Sequence, residues 1–255
     1  MTAQIHEGLA IGEYHKLERL SPSGIGALLR SPAHYQAQRE EWATREPSKA
    51  LRIGSAVHLL VLEPELVPTM LPVAPTVPKR SNADKATWAE WEASLAPGAL
   101  RLTADERETA ESAAAAVLTH EGIRRAELLK GRAEVSILWE QDGAPCKARP
   151  DLITERGFVV DLKTTEDAAD FERSVAQYSY HRQAAWLQMA AAAADIECKG
   201  VVFIAVEKTA PYGIRTVILD SIALVQGERE IERALAAYRT CTDSGEWPCY
   251  PATLD

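Results

Sequence analysis

Pro150-Asp151 is followed, after nine residues, by Asp161-Leu162-Lys163. In an extended strand alternate side chains share a face, so Asp161 and Lys163 present a carboxylate and an ammonium side by side. The segments CKARPDLIT and FVVDLKTT alternate β-branched residues and are separated by Glu155-Arg156-Gly157, a plausible hairpin turn. Such a hairpin brings Asp151 close to Asp161. Two carboxylates converging on one point repel unless a cation sits between them, and oxygen donors of this kind suit Mg²⁺ or Mn²⁺. An adjacent lysine can position water, or help deprotonate it, for attack on a phosphodiester while the metal stabilises the developing charge. An Asp-x-Lys tripeptide alone usually marks a surface ion pair at a strand end. The strand context and Asp151 favour the catalytic reading.

The elements that would hold these residues follow from periodicity and capping. AEVSILWE reads as a strand, so three consecutive strands run from Ala133 to Thr165 after a helix that opens with Thr103 and Glu106 in capping-box spacing. The segment 170–194 is long and rich in helix formers, and reads as one helix. GVVFIAVEK and YGIRTVILD read as strands, and Ser221 to about Arg239 as a closing helix. Toward the N-terminus, Ser21-Pro22 and Ser31-Pro32 each place a cap before a first-turn proline, and a third helix covers Ala50 to Leu62. Five prolines between residues 64 and 78 predict an extended connector, ending in the basic, polar PKRSNADK. Trp88 and Trp91 follow on a short helix. The alanine runs at 113–116 and 190–194 read as close helix packing.

With 255 residues, 46% hydrophobic and 25% charged, the chain has a globular composition that excludes disorder and disulfide-stapled miniproteins. One domain is expected over 1–255: a helical part and connector to about 100, a core over 101–210, and a C-terminal strand and helix over 211–255. No apolar run is long enough to span a membrane and no signal peptide is evident, which predicts a cytoplasmic protein without membrane partners. Cys146, Cys198, Cys241 and Cys249 lack metal-site spacing and read as reduced thiols. The net charge of −9 argues against a protein that coats nucleic acid, yet it is uneven, with +1 over residues 1–60 and −10 over the rest. Carboxylates neutralised by a cation would leave room for DNA as a substrate.

RPDLITERGFVVDLKTT resembles the active-site hairpin of the PD-(D/E)xK nuclease superfamily, and more closely that of exonuclease VIII and related phage-type recombination exonucleases, a branch related to lambda exonuclease. YHKLERLSPSGIGALLRSPAHY, GSAVHLLVLEPE, AEVSILWE, YSYHRQAAW and DSGEWP have counterparts in the same order. The resemblance implies an α/β (α+β) fold: a restriction-endonuclease-like core with a central mixed β-sheet flanked by helices, extended N-terminally by helices. It implies that Asp151 and Asp161 hold Mg²⁺ or Mn²⁺, that Lys163 is the catalytic lysine, and that His58 joins the metal site with the carbonyl of Leu162. Glu134 matches the acidic residue of the first core strand.

Gln183 matches the glutamine of a Q-x-x-x-Y motif, but Leu187 stands where the tyrosine would be and the aromatic is Trp186. Tyr178, Tyr180 and His181 face DNA or pack, with packing favoured for the two tyrosines. Arg30, Arg52, Lys79, Arg80, Lys85 and Arg149 are candidate phosphate contacts. The implied activity is metal-dependent digestion of linear double-stranded DNA, 5′ to 3′, leaving 3′ tails for a single-strand annealing partner. A ring-like homo-oligomer, trimeric or tetrameric, is implied as well. The alternatives are a nuclease of the same fold with other polarity, single-strand or endonuclease specificity, an inactive DNA-binding recombination module, and a non-nuclease metal protein.

Overall fold

The computed structural model describes residues 3–41, 47–78 and 80–250. In chain order the elements are β1 (Gln4–His6), α1 (Ile11–Lys16), α2 (Pro22–Arg30), α3 (Pro32–Glu41) and α4 (Lys49–Leu62). A 3₁₀ turn at Pro64–Leu66 leads to α5 (Val67–Met70), α6 (Asn82–Ser94), α7 (Ala104–Thr119) and α8 (Glu121–Arg125). The sheet-forming part contains β2 (Gly131–Ala133), β3 (Ser136–Gln141), β4 (Ala144–Ala148), β5 (Leu152–Thr154) and β6 (Phe158–Thr165). Then come α9 (Phe171–Gln177), α10 (Tyr180–Ala193), β7 (Gly200–Glu207), β8 (Ile214–Ile218) and α11 (Ser221–Ser244).

A mixed sheet of order β2-β5-β6-β7-β8 carries the predicted hairpin, in which β5 runs antiparallel to β6 with Leu152 opposite Val160. Gly157, at φ 81°, supplies the left-handed turn residue. β6 and β7 pair in parallel, Asp161 opposite Phe203 and Lys163 opposite Ala205. Alternation along these strands feeds two apolar layers. Val159, Val201, Phe203 and Ala205 face a layer built with α2, α10 and α11, whereas Val160, Leu162, Val202, Ile204 and Val206 face one built with α4 and α7. By that alternation Asp161 and Lys163 take the first face, in places a continuous strand would fill with apolar residues.

The structure departs from the sequence reading in four places. The three strands expected from Ala133 to Thr165 are five, divided between two sheets. β3 and β4 form a hairpin of their own, joined by β1 in a second sheet of order β1-β3-β4. AEVSILWE breaks at Glu134, which lies between β2 and β3 at φ 51°. The Pro-rich connector is not extended throughout, because Pro64 and Pro68 each open a helical turn, where a missing N–H costs nothing. Half of PKRSNADK is likewise the first turn of α6, closed by a Ser81–Asp84 capping box. The predicted helix over 170–194 is two, because Ser179 adopts a left-handed conformation at φ 55°.

The alanine runs pack in part: Ala113 and Ala114 are buried beside α4 with Ala110, Ala190 lies with Ala184 and Ala185 in the layer shared with α11, and Ala191 is buried, whereas Ala115 and Ala192 are exposed. Gly227 sets the α10–α11 distance, since a Cβ there would sit 2.6 Å from the carbonyl oxygen of His181. This contact fixes the helix that carries Gln183. Among the described residues, no helix is long and apolar enough to cross a membrane.

Candidate active site

At the end of the β5–β6 hairpin, the Leu162 backbone N–H donates to Asp151 Oδ2 at 2.6 Å, and the Glu134 N–H donates to the Asp151 carbonyl at 3.0 Å. The kink between β2 and β3 therefore turns Glu134 toward Asp151. His58 arrives from α4, whose apolar face packs against the sheet through Ile53, Ala56, Val57 and Val61. Its Nε2–H donates to the Leu162 carbonyl at 2.7 Å, and Nδ1 faces Asp151 Oδ2 at 3.6 Å. Ligand atoms of His58, Glu134 and Asp151 lie within 4.8 Å of one another.

Asp161, expected with Asp151 among the metal ligands, stands beside this group and outside it, and Glu134 takes that place. Lys163 Nζ lies 2.5 Å from Asp161 Oδ1, the Gln183 amide donates to Asp161 Oδ2, and the ammonium is 4.9 Å from the Tyr180 ring centre. All the predicted site residues thus come to one place, sorted into two subsets. His58, Glu134 and Asp151 converge on a point, while Asp161, Lys163 and Gln183 form a hydrogen-bonded line. The Leu162 carbonyl, expected among the metal ligands, is engaged by the imidazole. That bond fixes the tautomer and leaves Nδ1 as the free donor atom, a common arrangement behind a metal-binding histidine.

The protonation states show the strain of collecting acids here. Burial and the neighbouring Asp161 charge push Asp151 well above the usual carboxylate range. Burial and Asp151 push Glu134 up to about 7, although Arg149 Nε, 2.6 Å from Glu134 Oε2, pulls the other way. Burial holds His58 below its ordinary value, which keeps the imidazole neutral. For Lys163 burial would lower the pKa, but Asp161 and Asp151 outweigh it and hold the ammonium charged. Two crowded carboxylates aimed at one point suit a hard divalent cation such as Mg²⁺ or Mn²⁺, and the neutral imidazole offers a nitrogen donor to the same point.

Several further expectations are resolved by packing. Trp186 is fully buried against Trp139 and donates its indole N–H to the Lys147 carbonyl, which removes it from any surface. Leu187 is buried too. His181 pairs with Glu230 at 3.2 Å. Tyr178 does not pack inward; it is 59% exposed. Arg52 is tied to Glu106, and Arg149 to Glu134 and the Leu9 carbonyl. Arg30 donates to the Tyr250 hydroxyl, Arg80 and Lys85 are exposed, and Lys79 lies outside the described residues. Sequence reasoning missed Arg149 as the partner of Glu134. The signal available was its place two residues before Asp151 on a strand that predicts burial.

A mixed sheet with helices on both faces, a carboxylate hairpin and an adjacent lysine define the PD-(D/E)xK nuclease fold. The chain belongs to a family described as a PDDEXK-like domain of unknown function (DUF3799), whose sequence pattern matches residues 21–254. No curated protein matches the chain. Among solved structures, it is similar to a protein from Eubacterium rectale described as a "putative exonuclease", with a TM-score of 0.68 and 18% identity over 98% of this chain and 92% of that one.

Proposed function

We propose that this protein is a metal-dependent exodeoxyribonuclease that degrades linear double-stranded DNA from its ends, 5′ to 3′, leaving 3′ single-stranded tails for recombination by strand annealing. The observation that carries the reading is the gathering of His58, Glu134 and Asp151 beside the Asp161–Lys163 pair. The description printed for the Eubacterium rectale protein supports an exonuclease, and the resemblance to exonuclease VIII supports the polarity and the recombination role.

A divalent cation, Mg²⁺ with Mn²⁺ as a substitute, held by His58, Glu134 and Asp151, would supply Lewis-acid stabilisation of the phosphate charge and a more acidic water. Lys163, an ammonium beside its two aspartates, orients a water or phosphate oxygen by donating to it. Asp161 fixes that ammonium, and Gln183 holds the Asp161 carboxylate in one orientation. His58 stays neutral and presents Nδ1.

A homo-oligomeric ring, trimeric or tetrameric, enclosing the duplex and an annealing protein that receives the tail complete the reading. The net charge of −9 fits an enzyme whose cationic surface is confined to the DNA path. The test incubates linear and covalently closed duplex DNA with wild type and Asp161→Ala, with and without Mg²⁺. Loss of linear DNA alone, requiring both metal and Asp161, is the expected result. Degradation of closed circles would leave an endonuclease, and intact linear DNA that is nevertheless bound would leave a DNA-binding module.

A further inference from the structure

The break between α9 and α10 does something a continuous helix cannot. Ser179 is left-handed at φ 55°, an uncommon conformation for a residue with a side chain, and it places Tyr178 and Tyr180 side by side with ring centres 5.7 Å apart. Tyr180 stacks in turn on Phe203 at 5.4 Å and on Phe171 at 5.7 Å. Phe203 and Phe171 are buried, Tyr180 half-buried and Tyr178 59% exposed, so a ladder of rings climbs from the core and ends on an open one. Lys163 lies 4.9 Å from the middle ring, which joins this ladder to the reaction centre.

Tyr178, Tyr180 and Phe171 border a cavity of about 470 Å³ whose wall includes Thr164, Arg173, Gln177 and Lys208. Three carboxylates, Glu166, Asp167 and Asp170, share the wall with those two cations, and Glu166 and Asp170 already pair with them. A wall with more anions than cations does not select phosphate. It offers an aromatic face with amide and hydroxyl groups around it, which is the chemistry of an uncharged planar base.

We propose that Tyr178 is a stacking shelf for the base of an unpaired nucleotide at the end of the DNA, held in this cavity while the neighbouring phosphate lies at Lys163. The inference rests on the nuclease reading of that site and adds the group that separates a frayed end from an intact pair. Base–aromatic stacking tolerates any base, so the shelf grips an end without reading sequence.

The experiment uses duplexes with one unpaired terminal nucleotide, 5′ or 3′, carrying 2-aminopurine, and the full-length protein without divalent metal. Wild type is expected to quench the probe on one of the two ends. Tyr178→Ala should abolish the quench and weaken binding roughly tenfold, whereas Tyr178→Phe keeps both. An abasic terminal nucleotide should bind wild type and Tyr178→Ala equally. Tyr178 is exposed, so its removal leaves the core intact. Quenching by Tyr178→Ala equal to wild type, or an abasic end bound as tightly as one carrying a base, overturns the shelf. Adding Mn²⁺ separates the two readings: a protein that quenches but never cuts keeps the shelf and loses the nuclease, and one that cuts without quenching does the reverse.

Discussion

Lys147 on β4 and Lys163 on β6 are both lysines drawn into the protein from strands, and they are held in opposite ways. The Lys147 ammonium donates to the carbonyls of Leu17 at 2.8 Å, Tyr14 at 2.9 Å and His15 at 3.4 Å, with the Tyr14 ring centre 4.7 Å away. Its cage contains dipoles and no carboxylate, and burial pushes its pKa down to about 8. Lys163 has Asp161 at 2.5 Å and Asp151 nearby, and its pKa rises despite burial. The difference teaches what each region is for. The Lys147 ammonium caps the carbonyls at the C-terminal end of α1 and straps residues 14–17 to the second sheet. Carboxylates around Lys163 keep a charge available where a phosphate would arrive.

The sharpest way to break this comparison is to remove each charge while keeping its volume. Lys163→Met is expected to lower the rate of DNA hydrolysis by about 10²–10³-fold, the usual cost of deleting one preorganised donor, and to lower the melting temperature as well, because the buried Asp161 loses its partner. Lys147→Met should cost stability alone. It leaves three carbonyls short of their donor and costs on the order of 2 kcal/mol of stability, while turnover per folded molecule stays near wild type. Initial rates and thermal melts on both variants check the pair. If Lys147→Met abolished hydrolysis in fully folded protein, the division of labour would be wrong.

A smaller effect tests how α10 is positioned. Gly227→Ala drives a methyl group into the His181 carbonyl and is expected to cost about 1–3 kcal/mol. Because α10 carries Gln183, the residual folded enzyme should also lose a few-fold in rate. A variant with reduced stability and an unchanged rate would detach Gln183 from the site.

The two lysines also show what the sequence makes legible. The carboxylate hairpin was readable because alternation, a glycine turn and Asp-x-Lys spacing are local, and the structure pairs β5 with β6 as that pattern requires. Lys147 sits in the equally alternating CKA, but its carbonyl partners lie some 130 residues earlier, and nothing near Lys147 announces them. Glu134 was found through a family likeness; its aim depends on a left-handed kink that a run of β-formers hides. The helix over 170–194 failed for a related reason. Its composition favours helix throughout, and the break at Ser179 follows from seating Tyr180 against Phe203 and Phe171.

The smallest expected effect, and the one that sharpens the comparison most, comes from acidity in the metal-free protein. Glu134 is pushed up to about 7 by burial and by Asp151, against the opposing pull of Arg149. An acid whose folded pKa exceeds its unfolded value, near 4.5, binds its proton better in the folded state. Its stabilising contribution is complete below about pH 4.5 and is lost as pH climbs through 7. The loss is on the order of 3 kcal/mol for a shift of this size, and Asp151, also raised, adds to it in the same direction. Melting temperatures in chelator should therefore fall from pH 5 to pH 7.5 in wild type and fall less in Glu134→Gln. Mg²⁺ at pH 7.5 should restore wild type and restore Glu134→Gln less. Lys147→Met, altered where the ammonium is held by carbonyls, should follow the wild-type pH slope from a lower starting point. Equal slopes in wild type and Glu134→Gln would mean that Arg149 already neutralises Glu134, and the ligand group would then reduce to His58 and Asp151.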